Sequence, residues 1–394
     1  MRANGINRGT VPTLTILVAM TAFSIDVSLP AFPAISEALD VPSGSTHLII
    51  SAYFVSYALA QLPLGLLSER LGRLPVLYGG LTIFIIGGLI ATYAESLTML
   101  LLGRFIQGIG GGAGPVLSRT IARDISSGAQ LGRMMSLLVS ALAVSTIVGP
   151  IIGSLLVAWL DWSSTMAASV VLGLVCLPLV YCFVPETRGM NTLDTGNFLD
   201  HCKTFLRHRT AVVCSIMVAL LFFGYMSFIA SFSTIVADQF GRPPAEIGWY
   251  FAFFVCFYLL GASASRHLNG GKNNARLMDA AFVLMMTSVL LFALTYLDVA
   301  PVTAGLAGGM ICFLLAKGCM FGLLSARVLT DLPGISGTAS GIMGTMQVFA
   351  GFAGSATSAA IYHGDASSTV LILSTASVVM TLIYFWNRAA INTA

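Results

Sequence analysis

Apolar residues in this chain come in long blocks, with the polar residues gathered between them. A helix crossing the ~30 Å hydrocarbon core of a bilayer needs about 20 apolar residues. Twelve blocks of that kind occur, at 11–31, 46–66, 75–93, 97–117, 134–157, 163–184, 211–234, 247–265, 278–297, 301–322, 336–359 and 367–387. The pattern predicts an all-α integral membrane protein with twelve transmembrane helices. The first block follows Arg2 and Arg8 but continues past Pro30 without an Ala-x-Ala cleavage site. It is therefore expected to be a retained helix rather than a signal peptide.

The charges test this count. With both termini cytoplasmic, 16 of the 19 Lys and Arg residues fall on inner segments. These are Arg2, Arg8, Arg70, Arg73, Arg119, Arg123, Arg133, Arg188, Lys203, Arg207, Arg209, Arg266, Lys272, Arg276, Arg327 and Arg388. Arg242 falls outside, and Arg104 and Lys317 lie within spans. This is the positive-inside asymmetry, and a missed or invented helix would scramble it.

Composition narrows the class further. Charged residues make up 9% of the 394 residues and hydrophobic ones 57%, with a mean hydropathy of +0.90. A soluble domain carries about 25% charged residues, so a soluble enzyme, a nucleic-acid binder and a disordered chain are excluded. The formal net charge of +3 is small. The seven cysteines are scattered, with no CxxC and no Cys/His cluster. They are expected as small apolar fillers. Nothing suggests a metal site, a catalytic triad or a cofactor, so the chain is expected not to be an enzyme.

The longest polar connection, 185–210, divides the chain into six spans (1–184) and six more (211–394). A faint repeat agrees. Gly65-Leu-Leu-Ser-Glu-Arg-Leu-Gly-Arg73 follows the second block, and Gly261-Ala-Ser-Ala-Ser-Arg-His-Leu-Asn269 follows the eighth. Gly65 matches Gly261 and Arg70 matches Arg266. Two six-helix halves joined by a cytoplasmic loop are the plan of a two-bundle transporter, with its site near the midplane between them.

Several motifs resemble those of the major facilitator superfamily. Gly65 to Arg73 resembles its loop 2–3 signature, with Glu69 where Asp is usual. Arg104-Phe-Ile-Gln107-Gly108-Ile-Gly110 resembles the span-4 motif. Gly149-Pro150-Ile-Ile-Gly153 resembles the span-5 antiporter motif of drug exporters, with Ser145 and Ser154 where glycines are common. Pro185-Glu186-Thr187 after span 6 also resembles the superfamily. More narrowly, Ser24-Ile25-Asp26-Val-Ser-Leu-Pro30, Ser336-Gly-Thr-Ala-Ser340 and Gly344-Thr-Met-Gln347 resemble the Bcr/CflA group of drug:proton antiporters. The resemblance implies the major facilitator fold and export of small molecules against an inward flow of protons.

Asp26 stands within the first block and reads as the one acid inside a span. An ionised carboxylate facing lipid is costly, so Asp26 is expected to face the cavity and to carry the coupling proton. Arg104 is expected beside it. Asp26 lies roughly 22 Å from the inner end of its span and Arg104 roughly 10 Å from the outer end of its own, which puts them at similar depth. Gln107 lies one turn further along the same face. Lys317 is called for by neither motif nor packing. It either snorkels to the inner surface or stands in the cavity as a cation that binds an acidic cargo or sets the coupling. Phe23, Tyr53, Tyr57, Tyr225, Phe228, Phe232 and Gln347 are further candidates for lining the substrate site.

The loop signature is expected to act as a conformational device. Gly65 would allow close helix approach, while Glu69, Arg70 and Arg73 would make charge contacts with Arg119, Arg123, Asp124 or Arg133 in one state only. Gly149 and Pro150 are expected to weaken and bend the fifth span. The glycine run 108–114 follows no strand and is expected to serve close packing, not phosphate binding.

The expected function is proton-coupled export of small molecules, drug- or antibiotic-type, by alternating access, in a monomer of the bacterial inner membrane. Protons, the cargo and the lipid bilayer are the expected partners, with no nucleic acid and no cofactor. Two alternatives stay open: a carrier of an anionic or polycarboxylate metabolite or siderophore, and a membrane receptor that does not transport.

Overall fold

The structure, a computed structural model, describes residues 8–126, 128–188, 198–268, 272–297, 301–332 and 335–392. Among these residues every regular element is helical. The chain runs α1 (Thr10–Asp26), α2 (Phe32–Ala38), α3 (Leu48–Leu71), α4 (Arg73–Thr92), α5 (Leu97–Gly111), α6 (Ala113–Ile125), α7 (Gly128–Trp159) and α8 (Ser163–Phe183). It continues with α9 (Phe198–Arg207), α10 (Arg209–Asp238), α11 (Pro244–Leu268), α12 (Lys272–Tyr296), α13 (Val302–Asp331), α14 (Ser336–Ile361) and α15 (Ser367–Asn392).

Among the described residues ten helical segments are long and apolar enough to cross a membrane. Two of the twelve expected spans fall outside that set for local reasons. The block 97–117 is divided between α5 and α6 at Gly112. The chain keeps helical dihedrals there (φ −62°, ψ −28°), and Val116 N–H donates to the Gly112 carbonyl at 3.3 Å. The block 336–359 becomes α14, whose many Gly, Ser and Thr residues dilute its hydropathy. Large apolar side chains including Leu102, Val144, Val171, Leu260, Leu290 and Trp386 are exposed on the helices. That exterior suits hydrocarbon, where apolar surface carries no penalty.

The helices group into two compact units. The first comprises Met1–Asp194 with Phe240–Ala252, and the second Thr195–Gln239 with Phe253–Ala394. In the first, α4 packs on α5 and α8, α3 on α5, and α1 on α7. In the second, α10 packs on α13, α14 and α15, and α12 on α13 and α15.

The glycine run lies in close helix crossings, as expected. Gly110 abuts the Phe84 backbone nitrogen, Gly108 the Tyr53 carbonyl, and Gly114 the Leu17 carbonyl, where a Cβ would stand 2.5 Å away. Thr21 Oγ1 adds a hydrogen bond to the Gly111 carbonyl at 2.9 Å.

The first span is interrupted. α1 ends at Asp26, a short 3₁₀ turn covers Leu29–Ala31, and α2 starts at Phe32. Pro30 and Pro33 explain the break, since neither supplies an N–H to the ladder. Ser28 Oγ returns to the Ile25 carbonyl at 2.7 Å and satisfies part of the freed backbone. The helices also outrun the apolar blocks. Glu37, Glu69, Asp238, Glu246, Asp279 and Asp331 therefore lie inside spans near their ends, which corrects the reading of Asp26 as the one intraspan acid. Asp279 accepts from Tyr384 Oη at 2.7 Å and pairs with Arg388 at 2.5 Å; Asp331 pairs with Arg327 at 3.2 Å.

Candidate functional site

Arg104 is fully buried, with 0% exposure. Its Nη1 donates to the Ser24 carbonyl and Ser24 Oγ, each at 3.1 Å, and to Gln107 Oε1 at 2.7 Å. Gln107 Nε2 passes the chain on to Ser169 Oγ at 3.0 Å. The guanidinium carbon stands 4.7 Å from the centre of the Tyr53 ring, a cation–π contact. Tyr57 stacks near Tyr53, with centroids 6.3 Å apart and planes 17° apart, and its hydroxyl lies beside Arg119. Arg104 Nε and Nη2 have no hydrogen-bond partner among the described residues. The expected group Tyr53, Tyr57, Arg104 and Gln107 is thus brought together. Ser24 and Ser169 complete it from α1 and α8; single serines in apolar helices gave no signal of this role.

Asp26 lies in the same unit, 5% exposed, at the C-terminal end of α1. Among the described residues no ion pair joins it to Arg104, so the expected direct pairing is absent. Its neighbours come from α7. The Thr146 hydroxyl of that helix faces the carboxyl and donates to the Leu142 carbonyl at 3.0 Å. A Cβ on Gly149 would stand 2.8 Å from Asp26 Cβ, and Gly153 abuts the Val27 carbonyl. Two glycines therefore let α7 close over the break in the first span. α7 runs on as one helix through Pro150. Phe23, half-buried, sits one turn before Asp26.

In the second unit Lys317 is 4% exposed. Its Nζ stands 2.9 Å from the centre of the Tyr225 ring, 4.6 Å from Tyr258 and 5.8 Å from Phe222. The side chain ends among rings rather than at the surface, which answers the snorkelling alternative. Phe228 and Phe232 lie one and two turns past Tyr225, 5.0 Å apart, and both meet Phe254 edge-on. Gln347 is half-buried on α14 and does not join this cluster. Phe222 was legible as the residue one turn before Tyr225; Tyr258, from another helix, was not.

The expected gating residues divide. Arg73 Nε pairs with Asp124 Oδ2 at 3.1 Å, and Thr187 Oγ1 donates to the same oxygen at 2.7 Å. Glu186 accepts from the backbone N–H groups of Arg73, Leu74, Thr187 and Arg188, all at 2.9 Å. Partial burial raises the Glu186 carboxyl, but the four N–H groups outweigh it and hold it below the ordinary glutamate range. Glu69 and Arg70 are exposed and make no ion pair among the described residues, and Arg123 is exposed at the end of α6. Gly65 corrects an expectation. The nearest atom to a Cβ there would be Val116 Cγ1 at 3.9 Å, a side chain at ordinary contact, so no close approach demands glycine. Arg2, Asp194 and Asn269, with the side chains of Arg266, Lys272 and Ser336, lie outside the described residues.

The sequence profile of the Major Facilitator Superfamily matches residues 14–355 of this chain. The chain belongs to the major facilitator superfamily. Among its superfamily relatives, Multidrug resistance protein D of Escherichia coli K12 is 25% identical over 338 residues, covering 85% of this chain and 84% of the relative. A bicyclomycin resistance protein homolog of Haemophilus influenzae is 24% identical over 380 residues, covering 95% and 94%. These names are of the Bcr/CflA type. The solved structure of the human organic anion transporter MFSD10 superposes with a TM-score of 0.66 at 19% identity, covering 96% of this chain and 98% of that one. The Escherichia coli xylose transporter XylE, partially occluded and inward open, gives 0.72 at 17% identity, with coverage of 96% and 97%. The major facilitator fold is thus established, and the chain is a multi-pass membrane transporter.

Proposed function

We propose that this transporter exports small molecules of the drug or antibiotic type from the bacterial cytoplasm, by alternating access, in exchange for protons. The observation that carries the reading is Asp26, buried where the first span breaks and closed in by Gly149 and Gly153 of the antiporter-type motif. In this account Asp26 takes a proton from outside as cargo leaves, and gives it up inside as new cargo binds. Arg104, tied to Ser24 two residues before Asp26, senses that change through α1 and Gln107. The multidrug-resistance relatives support the direction and class of transport. Twelve spans, cytoplasmic termini, division of the bundles at residues 185–210, residence in the inner membrane and a monomeric state belong to the same reading. The Arg73–Asp124–Glu186 cluster serves as a cytoplasmic latch within the first unit.

The test uses everted membrane vesicles energised to an acid interior and a pH-sensitive dye. Lipophilic cations, neutral antibiotics and carboxylates are added in turn to vesicles carrying wild type or Asp26→Asn. Compound-evoked proton release from wild type alone is expected. Equal responses from both proteins would remove Asp26 from the coupling, and silence across the panel with confirmed insertion would count against proton-driven export.

A further inference from the structure

We infer that the Lys317 ammonium fills an aromatic box that would otherwise take a cationic head group, so that this site rejects cations and binds the carboxylate of its cargo. The inference rests on the transporter reading above and adds the chemical class of the ligand at this part of the site.

The box is built from four residues on three helices, all of them within the second unit. Tyr225 and Phe222 come from α10, Tyr258 from α11 and Lys317 from α13. The ring centres of Tyr225, Tyr258 and Phe222 lie 2.9, 4.6 and 5.8 Å from Nζ. Such a set of ring faces is what proteins use to hold quaternary ammonium ligands. Here the occupant is covalently part of the chain. Its position is fixed by a close crossing of α11 and α13: Gly318 abuts the Tyr258 carbonyl, and Gly261 abuts the Leu315 carbonyl. Cys319 Sγ adds a hydrogen bond to the Gly261 carbonyl at 3.3 Å.

The charge balance gives the ligand class. Among the described residues no carboxylate lies within 4.0 Å of Nζ, so the ring faces are the cation's only counterpart there. A buried cation without an anion is costly, and an arriving carboxylate offsets that cost. An arriving cation meets like charge in a box already filled. Phe222 and Tyr258 are half-buried, so the rim is not sealed.

The test is equilibrium binding to the purified full chain in detergent, by calorimetry, with no proton gradient present. The probes are 2-naphthylacetate and (2-naphthylmethyl)trimethylammonium, which share a ring and differ in charge. Wild type is expected to bind the carboxylate about tenfold tighter than the ammonium, the scale of one hydrogen bond to a charged group. Lys317→Met is expected to reverse that order, and Lys317→Arg to keep it. Adding Tyr225→Ala to Lys317→Met should abolish the gained ammonium binding. Equal affinity of wild type for the two probes, binding of neither, or a Met variant that gains no ammonium affinity would overturn the inference. Should Lys317→Met fail to purify as a monodisperse protein, Lys317→Gln carries the same comparison. Because binding is read without a gradient, this result stands or falls apart from the coupling test on Asp26.

Discussion

A Cβ on Gly149 would stand 2.8 Å from Asp26 Cβ, so this α7 glycine leaves no room for a side chain against the acid of α1. The proposed antiporter motif and the proposed proton site are thus one packing unit.

Gly149→Ala should therefore push α7 away from α1. Overpacking of this kind costs about 1–3 kcal/mol. The thermal midpoint of the detergent-solubilised protein should fall and compound-evoked proton release should be lost. Gly65→Ala is the control, because its nearest neighbour is Val116 at 3.9 Å, and it should leave both readings unchanged. A silent Gly149→Ala would show that the contact is dispensable.

Arg104→Lys should not rescue the loss of Arg104. One guanidinium nitrogen holds three acceptors while the guanidinium carbon lies over Tyr53, and a compact ammonium on a shorter side chain cannot both reach those acceptors and stack on the ring. Losing one or two such hydrogen bonds costs about 1–3 kcal/mol. Proton-driven efflux should drop at least about tenfold, with Gln107→Leu intermediate because it removes one acceptor. Efflux by Arg104→Lys at the wild-type rate would make the network structural only.

Glu186→Gln should destabilise the protein in a pH-dependent way. The folded carboxyl stands below its ordinary value of 4.5, held there by four backbone N–H groups. A group whose value is lowered by folding stabilises the fold above its unfolded value, and that stability disappears as pH falls through the folded value. The difference in thermal midpoint between wild type and Glu186→Gln should be full at neutral pH and shrink below about 4.5. A difference that does not change with pH would assign the effect to lost shape rather than lost charge.

The sequence made the fold legible because hydrocarbon imposes one rule on every span, and runs of about 20 apolar residues obey it visibly. It also located Asp26, Arg104 and Lys317, since buried charges in apolar blocks are conspicuous. What surrounds them was not legible. The partner of Arg104 is the Ser24 backbone and Gln107 rather than Asp26, because helix rotation about its axis, and not depth alone, decides which side chains meet. The Tyr258 ring reaches Lys317 across 59 residues of sequence through the Gly261–Gly318 crossing, which no local periodicity encodes. Pro30 and Pro33 mark the break after Asp26, but the hydropathy pattern predicts uninterrupted helix there, since hydropathy does not register a lost N–H.

The most direct test of the account separates movement of cargo from its coupling to protons. Proteoliposomes carrying wild type or Asp26→Asn would be loaded with a compound that evokes proton release, and two fluxes measured. One is exchange of labelled for unlabelled compound without a gradient, and the other is accumulation driven by a pH gradient. The account predicts that Asp26→Asn keeps exchange and loses gradient-driven accumulation. Accumulation by Asp26→Asn at the wild-type level would contradict it.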